Sequence, residues 1–148
     1  MRSWGARPTV ADPFALQRFV DAQDKVIDRV RAELRAGRKT SHWMWFIFPQ
    51  IEGLGFSQMA QRYAVGSVEQ AVAYLAHPVL GPRLIECAKL VLAVENRSAE
   101  SILGGIDAIK LRSSMTLFGA VAKDELVFGA VLEKYFGGAR DPATLERL

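Results

Sequence analysis

Apolar residues recur at helical spacing along most of the chain, most clearly between Asp12 and Gly37. Phe14, Phe19, Val26, Ile27, Val30 and Leu34 fall on one stripe, and Asp21, Asp24, Lys25, Asp28, Arg29 and Arg31 occupy most of the positions between them. A stripe of this kind lets a helix bury one face and hydrate the other. Asp12-Pro13 predicts its start, with aspartate as N-cap and proline at the first helical position. Gly37 predicts its end. Thr40 or Ser41 predicts the cap of a short helix through Phe48 that Pro49 stops, with a buried strand as competitor because aromatic residues favour strands. Gly53-Leu54-Gly55 reads as a turn, and Ser57 caps a helix to about Val65. Ser67-Val68-Glu69-Gln70 fits a capping box for a helix to about Ala76, where His77-Pro78 breaks it.

The next stripe, Leu84, Ile85, Ala88, Val91 and Leu92, belongs to a helix that starts near Pro78 or Pro82 and runs to about Asn96. Ser98 caps a short turn closed by Gly104-Gly105. Ile106, Ile109, Leu111, Met115, Leu117 and Phe118 predict another helix. Asp124 predicts the cap of one carrying Leu126, Val127, Phe128, Val131, Leu132 and Tyr135, ended by Gly137-Gly138. Asp141-Pro142 repeats the opening motif for a short terminal helix. No alternating strand pattern and no Asn-Gly hairpin turn interrupts this series. The pattern predicts an all-α bundle of about seven or eight helices without a significant sheet. It places a flexible tail at residues 1–11 and a single helical domain at 12–148.

Composition supports a globular chain: half of the 148 residues are hydrophobic and 24% are charged. The longest apolar run, residues 43–48, is far short of the roughly 20 residues of a membrane span. No apolar stretch precedes Asp12, so no secretory leader is expected. The single cysteine, Cys87, permits no internal disulfide. Together these suggest a cytoplasmic protein. Only His42 and His77 are available for a histidine-based metal site, so neither metal nor cofactor is expected. The net charge is +3, but Arg2 and Arg7 lie in the first eleven residues, and the remainder carries 17 basic and 16 acidic residues. Nucleic acid is therefore disfavoured as the partner, because a dedicated binder shows a strong basic stripe.

Candidate chemistry concentrates in residues 38–50, Arg-Lys-Thr-Ser-His-Trp-Met-Trp-Phe-Ile-Phe-Pro-Gln. Two cations, two hydroxyls and an imidazole sit directly against bulky apolar residues, as in a pocket wall. Arg38, Lys39 and Ser41 at a helix N-terminus would favour an anion through free backbone N–H groups and the helix dipole. Arg38 can fork onto a phosphate or carboxylate. Trp43 and Trp45 can stack a ring or cover a sugar face, and Gln50 closes the segment as a further polar contact. His42 is the candidate general acid or base, since an unperturbed imidazole titrates near neutrality. The competing reading makes the aromatic half, residues 45–48, a core anchor behind a capped, solvated loop.

A second cluster is Lys110-Leu-Arg-Ser-Ser-Met-Thr-Leu-Phe118. On a helix, Lys110 shares a face with Ser113 and Ser114. A lysine-activated serine would need a dry pocket, and the Ser-x-x-Lys hydrolase order is absent. Lys110 and Ser113 are more plausible as additional ligand contacts. His77 reads as a structural cap, and Cys87 as an inert core thiol.

Together with Gly53-Leu-Gly55 and Ala76-His-Pro-Val-Leu-Gly81, these two blocks resemble a bacterial domain-of-unknown-function family, number 1810. Some of its members carry the label calpastatin. The resemblance spans about residues 13–148 and implies a compact, mostly helical, cytoplasmic protein with no established activity. Calpain inhibitors are disordered and poor in aromatics, so three tryptophans and eight phenylalanines argue against that label. Three functions remain open. The first is binding, with hydrolysis through His42 as its enzymatic extension, of a small phosphorylated or nucleotide-like ligand. The second is a protein–protein interaction module using the terminal helices and residues 29–39. The third, ranked last, is a stress-related nucleic-acid protein.

Overall fold

The computed structural model describes residues 11–148. Ten helices follow one another in this span: α1 (Gln17–Asp24), α2 (Ile27–Ala36), α3 (Met44–Ile47), α4 (Gln58–Arg62), α5 (Val68–Ala76), α6 (Leu80–Ala93), α7 (Ala99–Leu103), α8 (Gly105–Val121), α9 (Leu126–Phe136) and α10 (Pro142–Leu145). The expected tail, apart from Ala11, lies outside the described residues. Extended pairing among the described residues is limited to one parallel bridge, Ile51 with Val65, in which Glu52 N–H donates to the Val65 carbonyl and Val65 N–H to that of Gln50.

The count exceeds the expected seven or eight for two reasons. The turn capped by Ser98 is a full helix, α7, in which the serine hydroxyl accepts from Ser101 N–H. The long first helix divides at Lys25-Val26. Its halves serve different partners, α1 packing on α3 and α2 on α6, and one straight helix cannot satisfy both. Asp12 and Pro13 do not open the helix as expected: regular helix begins only at Gln17, with Leu16 at the N-cap position, and Asp12 instead accepts from the amides of Leu16 and Gln17 across the preceding turn. Ser57, Ser67 and Asp141 cap α4, α5 and α10 as predicted. The cap of α9 is Glu125, one residue after Asp124.

A single core runs through the bundle. Phe19 meets Tyr74 edge-on at 5.2 Å, Tyr74 stacks obliquely on Phe118, and Phe118 reaches Phe128. Aromatic chains of this kind add directional energy to area burial. Two arginines tie irregular segments to it. Arg18 donates to the carbonyls of Phe14, Ala15, Arg62 and Ala64, and Arg112 donates to those of Ala139 and Arg140. No helix of the described residues is long and apolar enough to cross a membrane.

Candidate functional site

The 38–50 segment is built around a carboxylate on α2. Gly37 adopts a left-handed backbone (φ 70°) and ends the helix there. The chain then folds back over the last turn, where Glu33 faces inward at 8% exposure. Its Oε1 accepts from the Thr40 amide at 2.8 Å, the Ser41 amide at 3.1 Å and the Trp43 indole N–H at 3.0 Å. Its Oε2 accepts from the Ser41 hydroxyl at 2.6 Å. Burial opposes the charge, yet donors on Ser41, Thr40 and Trp43 hold the carboxyl well below its ordinary value, at about 2.

The segment therefore does gather an anion on its amides, and that anion is the chain's own. Ser41 turns its hydroxyl to Glu33 instead of capping α3, which begins behind Trp43 without a side-chain cap. Trp43 is fully buried, as are Met44, Ile47 and Phe48 nearly so. Trp45 is half-buried.

A second carboxylate, Asp107 in the first turn of α8, collects two lysines. Lys39 Nζ stands 2.9 Å from one oxygen and Lys110 Nζ 3.5 Å from the other. Each ammonium also lies over an indole: Lys39 is 5.1 Å from a Trp43 ring centre, and Lys110 is 5.1 Å from a Trp45 ring centre. The Lys39 amide donates to the Ile102 carbonyl at 2.7 Å, which ties the segment to the end of α7. Lys39 is nearly closed off by this packing; the Lys110 side chain remains 20% exposed.

The structure thus brings together Lys39, Trp43, Trp45 and Lys110. Ser41 stays with Glu33. Arg38 and His42 are exposed, and His42 makes no side-chain hydrogen bond among the described residues. Gln50 lines a different cleft of about 260 Å³ with Glu52, Phe56 and Gln61. Ser113 is buried and donates to the Ile109 carbonyl and to Asp141, the cap of α10. His77 caps α6, its Nδ1 accepting from the amides of Val79 and Leu80. Burial pushes the Cys87 thiol up to about 12, so it stays protonated and inert. The described residues hold no cluster of three or more His, Cys, Asp or Glu arranged for a metal.

Glu33 and Asp107 were missing from the residues read off the sequence. Both left traces there. Glu33 shares the buried stripe with Val30 and Leu34, and it is an acid in the last turn of a helix, where the dipole disfavours it. Asp107 stands three residues before Lys110, a helical ion-pair spacing.

This architecture defines an all-α, single-core domain with a tryptophan–lysine cluster at the α3–α8 junction. The chain belongs to the family described as "Protein of unknown function (DUF1810)", whose pattern matches residues 13–148. It is similar to the conserved hypothetical protein Rv1873 from Mycobacterium tuberculosis, whose crystal structure superposes with a TM-score of 0.91. The two are 54% identical over 93% of this chain and 98% of that one. No curated protein matches the chain.

Proposed function

We propose that the domain binds a small phosphorylated ligand with a flat or sugar part at the outer edge of the Lys39–Asp107–Lys110 cluster. One observation carries this reading: two lysines share one carboxylate, and each lies on an indole face. One positive charge is left over. It falls to Lys110, the looser and more exposed partner, beside the half-buried Trp45. A phosphate would pair with Lys110, and a ring would extend over Trp45. Arg38, exposed on the same segment, would add charge at the rim, and His42 a hydrogen-bonding ring nitrogen. The internal anion at Glu33 fixes the Trp43 indole beneath Lys39 before any ligand arrives, which lowers the ordering cost of binding. Hydrolysis would require His42 to be oriented, and no carboxylate orients it, so the reading stops at binding.

The test is titration with nucleotides, sugar phosphates and inorganic phosphate, read by tryptophan fluorescence and thermal shift. Quenching that disappears in Trp45→Phe, and at least tenfold weaker binding in Lys110→Ala (about 1.4 kcal/mol), is the expected result. A flat response to every phosphate, or one that survives Lys110→Ala, ends the proposal.

A second reading, docking of a partner protein, is favoured by Ile106 and Ile109, which are 75% and 66% exposed on α8 beside Lys110. It predicts that Ile106→Lys with Ile109→Lys removes a complex from native host extract without changing thermal stability. Retention of that complex by the double variant, or loss of the same complex in Trp45→Phe alone, would count against it.

A further inference from the structure

Two glycines interrupt the long helices of the α8–α9 hairpin, Gly119 in α8 and Gly129 in α9. A glycine in mid-helix is less stable there than alanine, because it loses more backbone freedom on folding. A Cβ on Gly119 would stand 3.5 Å from the Cβ of Phe128 on the facing helix, an ordinary van der Waals contact. Nothing lies within 4 Å of a Cβ on Gly129, and its φ is not positive. Neither a neighbour nor the backbone requires glycine there. What its missing side chain leaves open is the floor of a cleft of about 460 Å³, a volume within the range of small-molecule sites.

The walls of the cleft divide by chemistry. Met115, Leu126 and Leu132 supply an apolar side, with Leu126 79% exposed on the first turn of α9. Lys123 and Arg140 supply two cations, and neither makes an ion pair among the described residues. The one acid, Glu125, turns its carboxylate to the Val127 amide and the N-terminus of α9. Arg140 is held in place through its own carbonyl, which accepts from Arg112 at 2.8 Å.

We propose that this cleft binds a small anionic amphiphile, an aliphatic or flat apolar body that ends in a carboxylate, sulfonate or phosphate. The body covers Leu126 and lies over Gly129, and the head pairs with Lys123 and Arg140. A neutral apolar ligand leaves both cations unused, and a bare anion leaves the apolar wall wet. The cleft shares no lining residue with the Lys39–Lys110 cluster.

Calorimetric titration with decyl phosphate, inorganic phosphate and decanol tests it. Decyl phosphate is expected to saturate one site per chain, with the other two at least about tenfold weaker. Gly129→Leu fills the floor and removes a mid-helix glycine, so it abolishes binding while the thermal midpoint holds or rises. Lys123→Glu with Arg140→Glu weakens decyl phosphate at least about tenfold and leaves decanol unchanged. Lys110→Ala leaves all three titrations unchanged, which separates this site from the one proposed above. Three outcomes overturn the proposal: no saturable heat with decyl phosphate, full affinity in Gly129→Leu, or a wild-type dimer that Gly129→Leu dissociates, which would make the cleft an interface between copies.

Discussion

Glu33→Ala is expected to lower the unfolding free energy by about 3–4 kcal/mol, an unusually large effect for one surface-proximal acid. Removal of the carboxylate strips an acceptor from the Thr40 and Ser41 amides, the Ser41 hydroxyl and the Trp43 indole N–H. A buried donor left alone costs about 1–3 kcal/mol. Thr40 is exposed and recovers water, whereas the Trp43 indole, on a fully buried side chain, does not. Glu33→Gln costs less, about 2 kcal/mol, because it keeps one acceptor oxygen while turning an amide N–H toward other donors.

The same carboxylate sets a pH dependence. Its folded-state value of about 2 lies below the ordinary 4.5. The unfolded chain therefore takes up a proton first as acid is added. The stabilisation is fully present above about pH 4.5 and drains away as pH falls toward 2. Discounted for closeness to the surface, its size is on the order of 2 kcal/mol. Denaturation at pH 7 and at pH 2 should show that extra loss in the wild type and not in Glu33→Gln. Equal losses in the two proteins would mean that the four hydrogen bonds do not hold the charge.

The helical class was legible because capping chemistry is local. Ser57, Ser67, Ser98 and Asp141 each bond an amide three residues on, so their effect is written within four residues of sequence. The break at Lys25-Val26 was not legible. It arises from where α3 and α6 lie, and both are distant in sequence. Gln23 sits at this break, its amide donating to the Phe46 carbonyl and the Tyr74 hydroxyl. A polar residue on an apolar stripe was the available trace of a tertiary demand.

The candidate site was legible by composition and not by connection. Residues 38–50 mark where tryptophans and cations gather, and Lys39, Trp43, Trp45 and Lys110 do meet there. What joins them is acidic, Glu33 and Asp107, and neither was among the residues singled out from the sequence. The polar start of the segment looked open to an outside anion because the anion that fills it arrives from the preceding helix. Ser113 shows the reverse case. Its spacing from Lys110 fits a shared face, yet its hydroxyl goes to Asp141, a partner 28 residues later that helical periodicity cannot reveal.

Gly81→Ala is expected to destabilise the domain by about 3 kcal/mol or more, enough to threaten folding in a chain of this size. Sequence suggests only that His77-Pro-Val-Leu-Gly-Pro82 is a rigid link. The structure gives a stronger constraint. α5 ends at Ala76 and α6 begins at Leu80, so three residues reverse the chain. His77 fastens the start of α6 through Nδ1, and the Gly81 amide donates to the His77 carbonyl at 3.1 Å. This draws α6 onto the last turn of α5 until a Cβ on Gly81 would lie 2.0 Å from the Leu75 carbonyl oxygen. The obstacle is backbone, which cannot rotate away as a side chain can. Relief requires α5 and α6 to separate, and both carry core residues, Tyr74 on one and Leu84, Cys87 and Ala88 on the other. The loss should therefore appear as a lowered thermal midpoint together with faster exchange of the α5 and α6 amides. Gly105→Ala, in the first turn of α8 with nothing within 4 Å of its Cβ, is the matched control and should be neutral or slightly stabilising. If the two variants unfold alike, close approach of α6 to Leu75 is not what fixes glycine at position 81.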